Sequence, residues 1–158
     1  MFIYSLRAST IKFFAVVTVS LAAIIALIAF VPAYGEGSLP VSGDGKVDYT
    51  GIKTNEDRIE FLGSFGWKVD EKPVQTVEVT IPEQFDKIFT GYNEIQKRQG
   101  LDLSDYKNKK VTRYTYNVTN YDGEKGEVYA NLIVYRNRVI GGDICSADVT
   151  GFIHGFEK

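Results

Sequence analysis

The chain has 158 residues, with 18 Lys+Arg against 20 Asp+Glu and a formal net charge of −2. That length holds about one compact domain and excludes a multi-domain enzyme. The near-balanced charge argues against a nucleic-acid partner, which selects for a basic face. One Cys and one His exclude an internal disulfide, a Cys-rich zinc site and a His-cluster metal site, so no metal and no other cofactor is expected.

Residues 1–12 carry Arg7 and Lys12, and the run from Phe13 to Val31 then carries no charge. A helix over those residues spans roughly 28 Å, close to the ~30 Å hydrocarbon core of a bilayer. No Lys or Arg follows until Lys46, and Glu36 and Asp44 come first. The positive-inside rule therefore puts 1–12 in the cytoplasm, 13–31 across the membrane as a signal anchor, and the rest outside. The alternative is cleavage after Ala33, since Val31-Pro32-Ala33 offers small residues at signal-peptidase spacing and would release a secreted soluble binding protein. The run is longer than a usual signal-peptide core, which favours the retained anchor.

Residues 32–53 are rich in Gly and Ser, with few bulky side chains. Such a stretch buries too little surface to offset its ordering entropy and reads as a flexible linker. The folded unit is then 54–158. Thr54 and Asn55 suit an N-cap, Glu56 and Asp57 a first turn, and Gly66 a C-cap, with Ile59, Leu62 and Phe65 spaced between them. Trp67 to Val69 reads as a short extended piece. Val77, Val79 and Ile81 alternate with polar residues as in a strand, which Pro82 ends.

Phe85, Ile88, Phe89, Tyr92 and Ile95 mark the apolar stripe of a second helix that stops at Gly100. Leu101 to Asn108 reads as a turn that Leu103 and Tyr106 fasten to the core. Three strands follow. Thr112, Tyr114, Tyr116 and Val118 share one face of the first, and Val128, Ala130, Leu132 and Val134 one face of the second. Arg136-Asn137-Arg138 makes a hairpin, because Asn tolerates positive φ. Val139 to Cys145 is the third strand, with a bulge or close backbone approach at Gly141-Gly142. A short helix is expected between Ser146 and Phe156. The fold class is α+β: an N-terminal transmembrane helix, then helix-strand-helix and an antiparallel three-stranded meander, with the helices on one face of the sheet.

Cys145, His154 and Asp143 are the one conceivable nucleophilic set, because a Cys–His pair needs the imidazole beside the sulfur and an acid to orient it. Asp143 and Cys145, two apart on a strand, share a face. A buried structural Cys is the blander reading of Cys145 and the preferred one. The carboxylate pairs Asp102 with Asp105, Asp122 with Glu124, and Glu124 with Glu127 fall in turns, where solvated acids are ordinary. Tyr114, Tyr116, Tyr129 and Tyr135 form a possible partner surface, since tyrosine joins an apolar ring to a polar tip.

Several segments together resemble a known family: Phe61-Leu62-Gly63-Ser64-Phe65-Gly66-Trp67, Ile81-Pro82-Glu83-Gln84-Phe85, Tyr92-Asn93-Glu94-Ile95-Gln96-Lys97, Arg113-Tyr114-Thr115-Tyr116, Ala130-Asn131-Leu132-Ile133-Val134-Tyr135 and Val139-Ile140-Gly141-Gly142-Asp143-Ile144-Cys145-Ser146. The resemblance is to the domain of unknown function 4830 family of uncharacterised membrane-anchored bacterial proteins, found mainly in Gram-positive anaerobes, and runs over about residues 54–156. It implies a bacterial envelope address and no activity, because the family carries no known catalytic or binding residues. The expected function is a binding or regulatory module of the cell envelope, tethered to the lipid bilayer, with an envelope protein or a small ligand as partner. A Cys-dependent envelope enzyme using Cys145 and His154 is the alternative.

Overall fold

The computed structural model describes residues 47–123 and 126–158. The expected cytoplasmic N-terminus, the apolar span at 13–31 and the linker as far as residue 46 lie outside the described residues. Among the described residues no helix is long and apolar enough to cross a membrane. Residues 47–53, at the end of the expected linker, pack into the fold: Tyr49 and Ile52 are buried in the core.

Helix α1 spans Asn55–Ser64. Thr54 Oγ1 accepts from the Asp57 N–H at 3.2 Å, and the Asp57 carboxylate accepts from the Thr54 N–H at 2.7 Å, a reciprocal capping box. At the other end Gly66 takes φ +86°. Its N–H reaches the Gly63 carbonyl and the Trp67 N–H the Leu62 carbonyl, which satisfies two orphan carbonyls of the last turn. Val69 then bridges to Val118.

Strand β1 (Gln75–Thr80) leads to helix α2 (Lys87–Arg98), where Asp86 accepts from the Phe89 N–H at 2.7 Å as N-cap. The buried stripe of α2 differs from the apolar one in the sequence. Asn93 and Gln96 are buried and Ile88 is 83% exposed. The helix turns this way because both amides meet backbone that would otherwise be buried without partners. Asn93 donates to Asp102 at 2.9 Å and accepts from the Leu103 N–H at 2.8 Å, fixing the 3₁₀ turn Leu103–Tyr106 beneath the helix.

Strands β2 (Lys110–Val118), β3 (Val128–Tyr135), β4 (Arg138–Ser146) and β5 (Ile153–His154) complete one antiparallel sheet in the order β1-β2-β3-β4-β5. Arg136 and Asn137, at φ 46° and 62°, make the two-residue β3–β4 turn, whose twist matches the flanking strands. The expected three-stranded meander is therefore the centre of five strands, with β1 joined along β2 and the tail along β4. No helix forms after Ser146. Asp148 instead accepts from the Thr150 N–H and hydroxyl in a turn that sends the chain back as β5.

The helices do not share a face of the sheet. Phe61 and Leu62 of α1 and its C-cap Phe65 pack with Tyr116, Val118, Ala130, Leu132 and Ile144. Phe85, Phe89 and Tyr92, at the start of α2 and along it, pack with Val111, Ile133 and Ile140. These sets alternate along the strands and so occupy opposite faces. Both faces carry apolar residues, which one helical layer could not cover. Between Ile133 and Val134 the β3–β4 register shifts, leaving Ile140 as the extra residue of a bulge.

Glycine is required at residue 142. A Cβ there would overlap the Asn131 carbonyl and the Phe156 ring. The outward N–H of Gly142 donates to Gln96 Oε1 at 2.8 Å, and its carbonyl accepts from Gln99 Nε2 at 3.1 Å. Gln99 Oε1 accepts in turn from the Phe156 N–H at 2.7 Å. Phe156 is fully buried against Phe61 and Phe65, and its carbonyl accepts from Trp67 Nε1 at 2.6 Å. Phe156→Ala should lower unfolding free energy by about 3–5 kcal/mol in urea denaturation, the range for emptying a buried Phe site. Gln99→Leu, which strips three hydrogen bonds at once, including one to the Gln96 amide oxygen, should cost about 1–3 kcal/mol.

Candidate functional site

Helix α2 has 12 residues, about 18 Å of length at the helical rise. It covers the end of its sheet face that holds Val111, Ile133 and Ile140 and leaves the other end less covered. Cross-strand pairing lines up two rows there. One is Gln75, Thr115, Asn131 and Asp143; the other is Asn117, Tyr129, Cys145 and Ile153.

The first row is a hydrogen-bonded chain. Thr115 Oγ1 donates to Asn131 Oδ1 at 2.7 Å, and Asn131 Nδ2 donates to Asp143 Oδ2 at 2.9 Å. Tyr92 reaches down from α2 and donates to Asp143 Oδ1 at 2.7 Å. Asp143 is 3% exposed and has no ion-pair partner among the described residues. Burial pushes its carboxyl above the ordinary value, against the Asn131 and Tyr92 hydrogen bonds and the Arg113 charge, which pull it down. Arg113 lies on the same face and donates to Gln75 Oε1 at 2.8 Å.

The second row is the accessible one. Asn117 donates to Asp70 at 3.1 Å and Tyr129 to Glu127 at 2.5 Å. Cys145 is half-buried, and its Sγ accepts a long 3.4 Å contact from Asn131. Burial, and then the Asp143 charge, pushes the thiol up to about 12. Ile153 is 48% exposed. It also lines a cleft of about 530 Å³ between the C-terminal end of α2 and the tail, with Ile95, Arg98 and Lys158.

His154 does not join Cys145. It pairs with Ile144 while Cys145 pairs with Ile153, so the two side chains take opposite faces of the sheet. His154 Nε2 lies 3.2 Å from the Tyr121 hydroxyl, and its ring stacks beside Phe152. The four tyrosines divide in the same way. Tyr116 is fully buried and Tyr114 lies partly buried on the α1 face, whereas Tyr129 and Tyr135 lie on the α2 face. They cannot form one surface, because strand periodicity separates even from odd positions. Asp102 is a structural acid: hydrogen bonds from Asn93 and Ser104 hold it at about 2. Among the described residues no group of three or more His, Cys, Asp or Glu could hold a metal ion.

The model of a family described as a domain of unknown function, DUF4830, matches residues 61–144. The chain belongs to the DUF4830 family. Within it the match runs from Phe61 in α1 to Ile144 in β4, and so includes Tyr92, Thr115, Asn131 and Asp143. Cys145, Ile153, His154 and Phe156 lie beyond it. No curated protein and no solved structure matches the chain.

Two solution outcomes follow for this DUF4830 domain. The folded Asp143 carboxyl keeps its proton to higher pH than the unfolded one, so the folded state binds more protons between those two values. Its contribution is complete below the unfolded value and is lost as pH rises through the folded one. The stability of wild type relative to Asp143→Asn should therefore fall steadily as urea titrations move from acid to neutral pH. Alkylation of Cys145 at pH 8 should be on the order of a thousand times slower in the native protein than in denaturant, as the thiolate fraction dictates.

Proposed function

We propose that this chain is a single-pass membrane protein whose folded domain is an extracytoplasmic binding or regulatory module of the bacterial envelope. Its partner surface would be the less covered half-face around Tyr129 and Ile153. One observation carries the reading. The partly exposed row of Asn117, Tyr129, Cys145 and Ile153 stands beside the hydrogen-bonded Thr115–Asn131–Asp143–Tyr92 chain, which fixes the strands beneath it. Preorganisation of this kind lowers the ordering cost of binding, and an aromatic beside an exposed aliphatic residue suits an anchor. The charge-free run at 13–31 and the positive charges before it support the anchor and its orientation. The partner would be another envelope protein or a small ligand.

Topology is tested by fractionating cells that express the full chain. A retained anchor resists alkaline extraction, keeps residues 1–33 by intact mass, and exposes the domain to protease added outside the membrane. Recovery of a chain beginning after Ala33 in the medium would establish the secreted form instead. For the surface, a photo-crosslinker at Tyr129 or Ile153 should give a discrete adduct in cells, and one at the remote exposed Ile88 should not. Tyr129→Ala should weaken capture of that partner by roughly tenfold or more without unfolding the domain. Equal adducts at all three positions would remove this face from consideration.

A further inference from the structure

Arg58 belongs to α1, on the other face of the sheet, and is 8% exposed. Its guanidinium carbon sits 3.8 Å from the centroid of the Tyr114 ring. Its Nε donates to the Tyr116 hydroxyl at 2.8 Å. That hydroxyl donates onward to Asn55 Oδ1 at 2.9 Å, and Asn55 Nδ2 donates to the Glu71 carbonyl at 2.8 Å. The ring fixes the plane of the guanidinium, and the hydroxyl fixes its rotation within that plane.

The terminal edge of the group is unused. Among the described residues no carboxylate forms an ion pair with Arg58, and neither Nη1 nor Nη2 has a hydrogen-bond partner. Neither nitrogen is sealed from solvent as an unpaired buried donor. A cation removed this far from water is ordinarily matched by a counter-charge. The aromatic face and the Nε hydrogen bond offset part of that cost. What remains open is a planar pair of N–H donors, the edge with which a guanidinium takes two oxygens of a carboxylate or phosphate at once.

We propose that Arg58 is the receptor for an oxyanion group, a carboxylate or a phosphate, bound end-on at Nη1 and Nη2 with Tyr114 and Tyr116 as its positioning residues. The two tyrosines that the sequence offers as a contact surface then act one step back: they hold the arginine that makes the contact. This site lies on the opposite face from Tyr129 and does not depend on the surface proposed there.

The test uses the full chain in zwitterionic lipid nanodiscs at pH 7, with ionic strength fixed while chloride is exchanged for acetate or for inorganic phosphate. Thermal unfolding followed by fluorescence and the ¹⁵N resonance of Arg58 Nε are the readouts. A saturable shift of both with either anion is expected, and the tighter anion identifies the group. Arg58→Lys retains the charge but loses the two-donor edge, and should weaken the response at least tenfold. Arg58→Met should abolish it. A wild-type response absent for both anions, or one unchanged in Arg58→Lys, would overturn the proposal. If Arg58→Met fails to fold, the lysine variant and the wild-type resonance still decide it.

Discussion

The fold depends on two glutamine side chains that finish a sheet edge. Strand β4 pairs with β3 along its whole length, but its other side meets β5 at just two residues. At Gly142 the outward N–H and carbonyl would be left without partners beneath α2. Gln96 and Gln99 supply an acceptor and a donor there, as a neighbouring strand would. Gln99 carries the pattern one step further by accepting from the Phe156 N–H. Beyond them the Tyr49 carbonyl accepts from the Val139 N–H, and the Ile52 N–H donates to the Asn137 carbonyl. The edge is thus hydrogen-bonded at several points by side chains, a tail and an N-terminal segment rather than by one long strand. This arrangement fixes the rotation of α2, the glycine at 142 and the position of the tail.

The sheet separates two environments. The α1 face is mainly aromatic and aliphatic, and its polar exceptions, Arg58 and the Tyr116 hydroxyl, are paired with each other. The α2 face has a smaller apolar cluster and a buried acid beside it. Asp143 is tolerated because Asn131 and Tyr92 each supply a donor, and Thr115 orients the Asn131 amide. A buried polar chain with every member paired confers a single register on the central strands, which apolar packing alone specifies less sharply.

Local signals in the sequence located the elements well. The Thr54 N-cap, the stop at Gly66 and the Asn137 turn rest on near-neighbour chemistry, and each stands where the residue types place it. Assembly was less legible. Ile133 and Val111, on the reverse side of their strands, were the available sign of a second helical layer. Ile88 misdirected the α2 stripe, since hydrophobic periodicity cannot show that Asn93 and Gln96 have buried backbone waiting for them. The separation of Cys145 from His154 follows from β5 pairing, which a two-residue strand announces too weakly to read. Of the candidate site, Tyr129, Asp143 and Cys145 were named from the sequence. Tyr92, Thr115 and Asn131 came from the structure, though a lone Asn within the apolar run of β3 was a usable signal.

The contact between Trp67 and Phe156 spans 89 positions of the chain. Phe156 fills the core against α1, one of the first elements of the domain to be synthesised. A chain emerging N-terminus first therefore leaves Phe61, Phe65 and Trp67 without part of their cover until residue 156 has appeared, and the β4 edge lacks part of its own for as long. Completion of the core therefore waits on the tail, however much of the sheet has already formed.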